Sequence, residues 1–330
     1  MDQSTSSLLF RRTLRELAAL YQCEPTEEAV EAARQQLGLA ECARRCFAGQ
    51  FAAFYVDDLL GGEELLPADW LASFAPVRRV LRVEALAEQL IARLPSWEAF
   101  CEQFLAILAA PGEDVIAFKT IVAYRSGLRV GPVATAAAAE AFQRLRAHAA
   151  RGTPPRLADK PLNDWIVLAT VAAAAAQNRP LQVHTGYGDP DLDLREADPL
   201  HLAPLIAAHP ATTFVLLHAG YPYVRQAGYL AWVYPNVAVD LGLPIALLSL
   251  EGMRATVAAL LELAPLEKVL VSTDGYLAPE RFWCAAVWAR RLVAAALERA
   301  ASAGELSWPE AEQFGAALLA ENARRLYQHR

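Results

Sequence analysis

A chain of 330 residues, 55% hydrophobic and 20% charged, can bury a sizeable core, which excludes global disorder and suits one large domain or two ordinary ones. A net charge of −7 gives no basic footprint for nucleic acid and no polybasic membrane signal. No apolar run reaches the roughly 18–20 residues of a membrane span, and the start, MDQSTSSLLFRRTLREL, does not read as a signal peptide. Cys23, Cys42, Cys46, Cys101 and Cys284 are scattered and odd in number, so reduced thiols and a cytoplasmic location are expected.

The first hundred residues read mainly as helix. Ser6 or Ser7 can cap a helix through LLFRRTLRELAALY, and Thr26, followed by Glu27 and Glu28, starts a second that runs to Gly38. A third, AECARRCFAG, ends at Gly49. The period then changes. Short apolar runs end at Val56 before Asp57-Asp58, at Val83 before Glu84, at Phe118 before Lys119 and at Val183 before His184. Others end at Leu217 before His218, at Val239 before Asp240 and at Val271 before Ser272-Thr273-Asp274. Long Ala/Leu/Glu/Arg helices separate them. Seven buried strands alternating with helices predict a parallel α/β sheet. Pattern alone leaves an open doubly wound sheet and a barrel both standing. No glycine-rich nucleotide-binding motif follows a strand.

Lys119, His184, His218 and Asp274 each follow a strand end. In a (β/α)₈ barrel all such ends open on one face, which carries the chemistry. Two imidazoles and a carboxylate suit a divalent metal, zinc or alternatively manganese. A lysine joins such a set only as an anionic carbamate. Blander readings exist for each: a lone strand-end histidine is more often structural, and Asp274 can simply cap the next helix. Arg82 and Arg125 can clamp a substrate carboxylate, or can pair with Glu84, Asp57 or Asp58. Tyr187 and Asp189, in HTGYGD, can touch substrate, while loop structure alone accounts for Gly186 and Gly188. His148, His201, His209 and His329 read as structural or solvated.

The stretches FKTIVAYRSGL (118–128), LQVHTGYGDPDLDL (181–194), FVLLHAGYPY (214–223), VAVDLG (237–242), VLVSTDGY (269–276) and ENARRLY (321–327) resemble the amidohydrolase superfamily. The resemblance is to its amidohydrolase-related (type 2) family, and specifically to the amidohydrolase domain found beside glutamine-synthetase-like proteins. It extends back through RRTLRELAALYQCEPTEEAV and VRRVLRVEAL. It implies a TIM barrel, with residues 1–50 as a helical segment of the barrel domain and 51–330 as the metal-dependent hydrolase barrel. It implies metal ligation by His184, His218 and Asp274, with Lys119 in the place of a bridging carbamylated lysine. Asp274 is then general base, with His218 beside it in catalysis. The family's first strand carries an HxH pair, and this sequence contains no HxH. The expectation is a barrel lacking its first strand, breached there, and weak in metal binding and activity.

The function so implied is hydrolysis of a small amide or related carboxylate substrate by metal-activated water. A decarboxylase or sugar-acid isomerase on the same barrel, and a metal-poor binding or regulatory module, are the alternatives. Expected partners are a small-molecule substrate and a second copy in a homo-oligomer, with neither nucleic acid nor membrane.

Overall fold

A computed structural model describes residues 3–57 and 68–327; Asp58 and His329 lie outside the described residues. Two N-terminal helices, α1 (Leu8–Tyr21) and α2 (Glu27–Phe47), start where the capping chemistry places them. The Ser7 side chain accepts from the Phe10 N–H and that of Thr26 from the Ala29 N–H. The break expected at Gly38 is a kink inside α2, where that residue takes φ +72°.

Seven strands follow: β1 (Phe54–Val56), β2 (Val77–Arg82), β3 (Val115–Thr120), β4 (Leu181–Val183), β5 (Phe214–Leu216), β6 (Val237–Asp240) and β7 (Val269–Leu270). Between them run α3 (Ala68–Ala72), α4 (Val83–Arg93), α5 (Trp97–Ala109), α6 (Thr135–Ala149), α7 (Lys160–Gln177), α8 (Ala203–Ala208), α9 (Val224–Val233), α10 (Pro244–Leu247) and α11 (Leu250–Leu261). After β7 come α12 (Pro279–Ser302), α13 (Trp308–Ala316) and α14 (Asn322–Tyr327). Each strand pairs in parallel with the next in sequence, and the sheet curls into part of a barrel. Among the described residues β1 and β7 are its two edges, so the open doubly wound alternative is set aside.

Alternation along each strand sorts the side chains. Phe118, Leu181, Val183, Phe214, Leu216, Val237 and Val239 face outward into the main core beneath the helices. Val80, Ala117, Val215, Ala238 and Leu270 face the lumen. The register runs Arg82–Lys119–Gln182–Val215–Ala238 across five strands, so these five form one lumenal layer. Charged residues enter that layer on β2 and β3, and apolar ones close it on β5 and β6. The lumen is also filled from below by the C-terminal helix. The Tyr327 ring lies 5.1 Å from that of Tyr55, and its hydroxyl oxygen accepts from Gln182 Nε2 at 2.9 Å. The Asn322 side-chain amide ties the same helix to β7 by donating to the carbonyls of Leu266 and Val269 at 2.8 Å each.

The N-terminal helices pack on α12. Buried Glu280 accepts from the Tyr21 hydroxyl at 2.6 Å and from Arg34 Nε at 2.5 Å. The Arg12 guanidinium lies 4.3 Å from the ring of buried Trp288, a cation–π contact. No helix among the described residues is long and apolar enough to cross a membrane.

Candidate active site

The same alternation that builds the core aims the polar residues at the strand ends. Ala117 faces the lumen and Phe118 the helices, so Lys119 returns to the lumen. Gln182, Val183 and His184 repeat the pattern on β4, and Ala238, Val239 and Asp240 on β6. His218 follows β5 through a different device. It takes φ +65° and Ala219 takes φ +50°, left-handed conformations that cost a non-glycine residue about 1–3 kcal/mol each. Asp274 is likewise at φ +48°. The helix-cap reading of Asp274 fails, because α12 begins after Ala278, and no side chain caps it.

His184 and His218 meet directly. Their Nδ1 and Nε2 atoms are 3.0 Å apart, and both rings are buried. Partners set the tautomers. His184 Nε2 lies 3.2 Å from the Tyr187 carbonyl, which can only accept, so this nitrogen carries the hydrogen. His184 Nδ1 is then the acceptor, and His218 Nε2 donates to it. His218 Nδ1 is buried and makes no hydrogen bond of its own among the described residues, although the Gly242 backbone also acts on this ring. Burial holds the His184 imidazole well below its ordinary pKa, with His218 and the Lys119 charge adding to the effect. Burial and the same ammonium hold His218 at about 3. Both rings are neutral near pH 7. The Tyr124 ring packs 4.4 Å from His184, and burial pushes its phenol up to about 12.

Charges from both sides reach this pair. The Asp274 carboxylate acts on His184, Tyr124 and Tyr187, and the Lys119 ammonium acts on both imidazoles and on Asp240. Asp240 accepts from Ser272 Oγ at 2.7 Å and from the Gly242 N–H at 2.8 Å, while burial pushes its carboxyl up to about 6. Lys119 Nζ lies 3.2 Å from Asp57 Oδ2, and the same oxygen accepts from Arg82 Nε at 2.8 Å and Nη2 at 2.5 Å. The ion-pair reading of Arg82 with Asp57 is therefore what is seen. Arg125 pairs instead with Glu88 and Asp191, each at a loose 3.9 Å, and its Nε is buried without a partner among the described residues. The buried Tyr187 hydroxyl also has no such partner, whereas Asp189 is exposed and its N–H donates to the Tyr124 hydroxyl at 3.4 Å. His148 and His201 bond the backbone carbonyls of Arg144 and Arg195.

Gly186 and Gly188 have reasons beyond loop flexibility. Gly186 sits at φ +74°, and a Cβ there would lie 2.2 Å from the Tyr221 carbonyl oxygen; one on Gly188 would lie 1.9 Å from the Tyr124 hydroxyl. The two glycines press the HTGYGD loop onto the site. Sequence reasoning passed over Tyr124, Asp240 and Ser272. Asp240 obeys the same strand-end rule as Lys119 and His184 and was findable by it. Tyr124 carries no such signal, because its contact with His184 spans two loops.

The imidazoles predict a measurable acid dependence for the metal-free chain. A histidine whose pKa is lowered by folding is protonated more readily in the unfolded state, so its stabilisation is present above pH 6.5 and is lost as pH falls from 6.5 toward 3. Urea unfolding of His218→Gln and the parent from pH 7.5 to 5.0 should show their stability difference shrinking by about 1.4 kcal/mol per unit below 6.5. Asp240 acts in the opposite sense, but it is present in both proteins and cancels. Parallel curves would show that His218 is not buried neutral.

Comparison with known proteins agrees with this architecture. The Amidohydrolase family model matches residues 113–328. Protein fluG of Emericella nidulans is 36% identical over 99% of the chain, which spans only 42% of fluG. Among solved structures, a protein of Lactobacillus casei assigned as a metal-dependent hydrolase is similar at TM-score 0.85 and 26% identity, covering 98% of this chain and 85% of that one. A uronate isomerase of Bacillus halodurans shares the fold at TM-score 0.67 and 13% identity, covering 99% and 78%. With the family model spanning most of the chain and the barrel matching from end to end, this protein belongs to the amidohydrolase family.

Proposed function

We propose that the chain is a hydrolase of small amides that carry a carboxylate. The observation behind this reading is the meeting of the buried neutral pair His184–His218 with the charges of Asp274 and Lys119 at the strand ends. Hydrolysis needs a proton acceptor for water, and Asp274, half-buried in the loop after β7 with its charge acting on His184, is the carboxylate we assign to that role. Water adds to the scissile carbonyl carbon, the C–N bond breaks, and Asp274 carries the water's proton to the departing nitrogen. Arg125, with its unpartnered Nε, and the Tyr187 hydroxyl serve as orienting donors, with Asp189 at the rim.

The family is generally metal-dependent, so the donor set has to be tested against a metal. No group of three or more His, Cys, Asp or Glu side chains able to hold an ion occurs among the described residues. The two nitrogens that face each other, on His184 and His218, are already hydrogen-bonded, and two donors fill half of a tetrahedral shell. The described residues thus do not fit zinc or manganese by themselves, and the steps above pass through neither.

The test is an assay of the desalted chain against N-acyl amino acids and γ-glutamyl amides, with and without added zinc or manganese, alongside metal analysis. The expected result is slow hydrolysis of a carboxylate-bearing amide and well under one equivalent of retained zinc. Isomerisation of uronates without amide hydrolysis would replace this reading with an isomerase. No turnover of either class would replace it with a binding module.

A further inference from the structure

Three charged side chains at the ends of β1, β2 and β3 are out of balance. Arg82 and Lys119 are direct register partners and project into the same lumenal layer. Their side chains are 13% and 12% exposed, and that of Asp57, which follows β1, is 10% exposed. Two cations therefore share one carboxylate. All of the contact falls on Oδ2, while Oδ1 is buried and has no hydrogen-bond partner among the described residues. An ammonium has three donors, and among the described residues Lys119 has one ionic partner. The nearby acids Glu84 and Asp240 feel these cations through space but make no ion pair with them. Glu84 is committed to the Thr120 hydroxyl and the Ile121 N–H, and Asp240 to Ser272 and Gly242. A Lys119 carbamate would set an anion against Asp57 in place of this bond, so the arrangement suits the lysine as a cation.

We infer that Arg82 and Lys119 form a carboxylate-binding subsite at the base of the mouth, with Asp57 as its built-in competitor. A planar carboxylate matches the guanidinium fork of Arg82 and takes the free donors of Lys119. The subsite lies one lumenal layer below His184, so a ligand anchored there extends toward the histidine pair. The inference rests on the proposed hydrolase only in making the bound carboxylate part of a substrate; the subsite itself is testable without turnover.

Glutarate serves as the probe and its neutral diamide as the control, titrated calorimetrically into the 330-residue chain. Glutarate is expected to bind and glutaramide not. Lys119→Met should weaken glutarate at least tenfold, and Asp57→Asn should tighten it severalfold by removing the competitor. Equal binding of the two probes, or a Lys119→Met affinity equal to the parent's, would overturn the subsite. An Asp57→Asn affinity no tighter than the parent's would overturn the competitor. A second measurement avoids substitution of the cluster. The chain has three lysines, Lys119, Lys160 and Lys268, so reductive ¹³C-methylation gives few resonances, and Lys119→Arg assigns the one of interest. That resonance should shift on adding glutarate and stay fixed with glutaramide; no glutarate-dependent shift counts against the subsite even if amide hydrolysis is observed.

Discussion

Asp274→Asn should lower kcat for amide hydrolysis by about 10²–10⁴-fold while leaving the fold intact, because general-base catalysis by a positioned side chain is worth that much. The substitution is clean for a backbone reason. Asp274 occupies φ +48°, and asparagine, like aspartate, tolerates the left-handed region, so the loop keeps its path while the proton acceptor is lost. Asp274→Ala provides the contrast, since it removes the same group but places a Cβ-bearing residue without a polar side chain in that conformation, at a cost of about 1–2 kcal/mol. Thermal unfolding should therefore separate the two variants, and kcat should not. An asparagine variant that turns over like the parent would remove Asp274 from the chemistry.

The largest effect on stability is expected at the other end of the lumen. Tyr327 is buried, its ring against Tyr55 and its hydroxyl on Gln182. Around it are Val80, Ala117, Val215, Ala238 and Leu270, contributed by five strands. Truncation to alanine would open a cavity that the surrounding sheet cannot collapse to fill, with a cost of about 3–5 kcal/mol. Tyr327→Phe keeps the ring and leaves the Gln182 amide short of its acceptor, which costs about 1–3 kcal/mol. Urea midpoints of the three proteins should fall in the order parent, phenylalanine, alanine. An alanine variant as stable as the parent would mean that the lumen is not filled by this ring.

How much of this was readable in the sequence depends on range. Strand ends were legible because burial on both faces writes a short unbroken apolar run, and the first polar residue after it marks the mouth. That rule found Lys119, His184 and His218, and it also reaches Asp240. The side of the sheet was legible in principle, since Ala117-Phe118-Lys119 and Gln182-Val183-His184 alternate in the same phase. Partnership was less legible. Asp57 stood as one of three candidate acids for two arginines; it holds Arg82 because β1 and β2 are neighbours, and it misses Arg125, which turns toward Glu88 and Asp191. Tyr327 was not legible as a lumenal residue. Its local context, ENARRLY, reads as a helix end, and nothing nearby says that the helix returns under the barrel.

The join between α12 and the N-terminal helices bears on when the chain can finish folding. Neighbouring strands pair in the order in which they are made, so the sheet can grow as synthesis proceeds. The Tyr21–Glu280 bond, by contrast, spans 259 positions, and Phe282 is one of the rings packed on Phe47, with centroids 5.4 Å apart. Chains emerge N-terminus first, and contacts this distant form only after the intervening loop has closed. For most of translation α1 and α2 must wait with the ring of Phe47 short of a neighbour. The chain is then exposed to misassociation until the segment around residue 280 has left the ribosome. A stalled or truncated product ending before α12 would keep that aromatic surface open and be a substrate for chaperones and proteases.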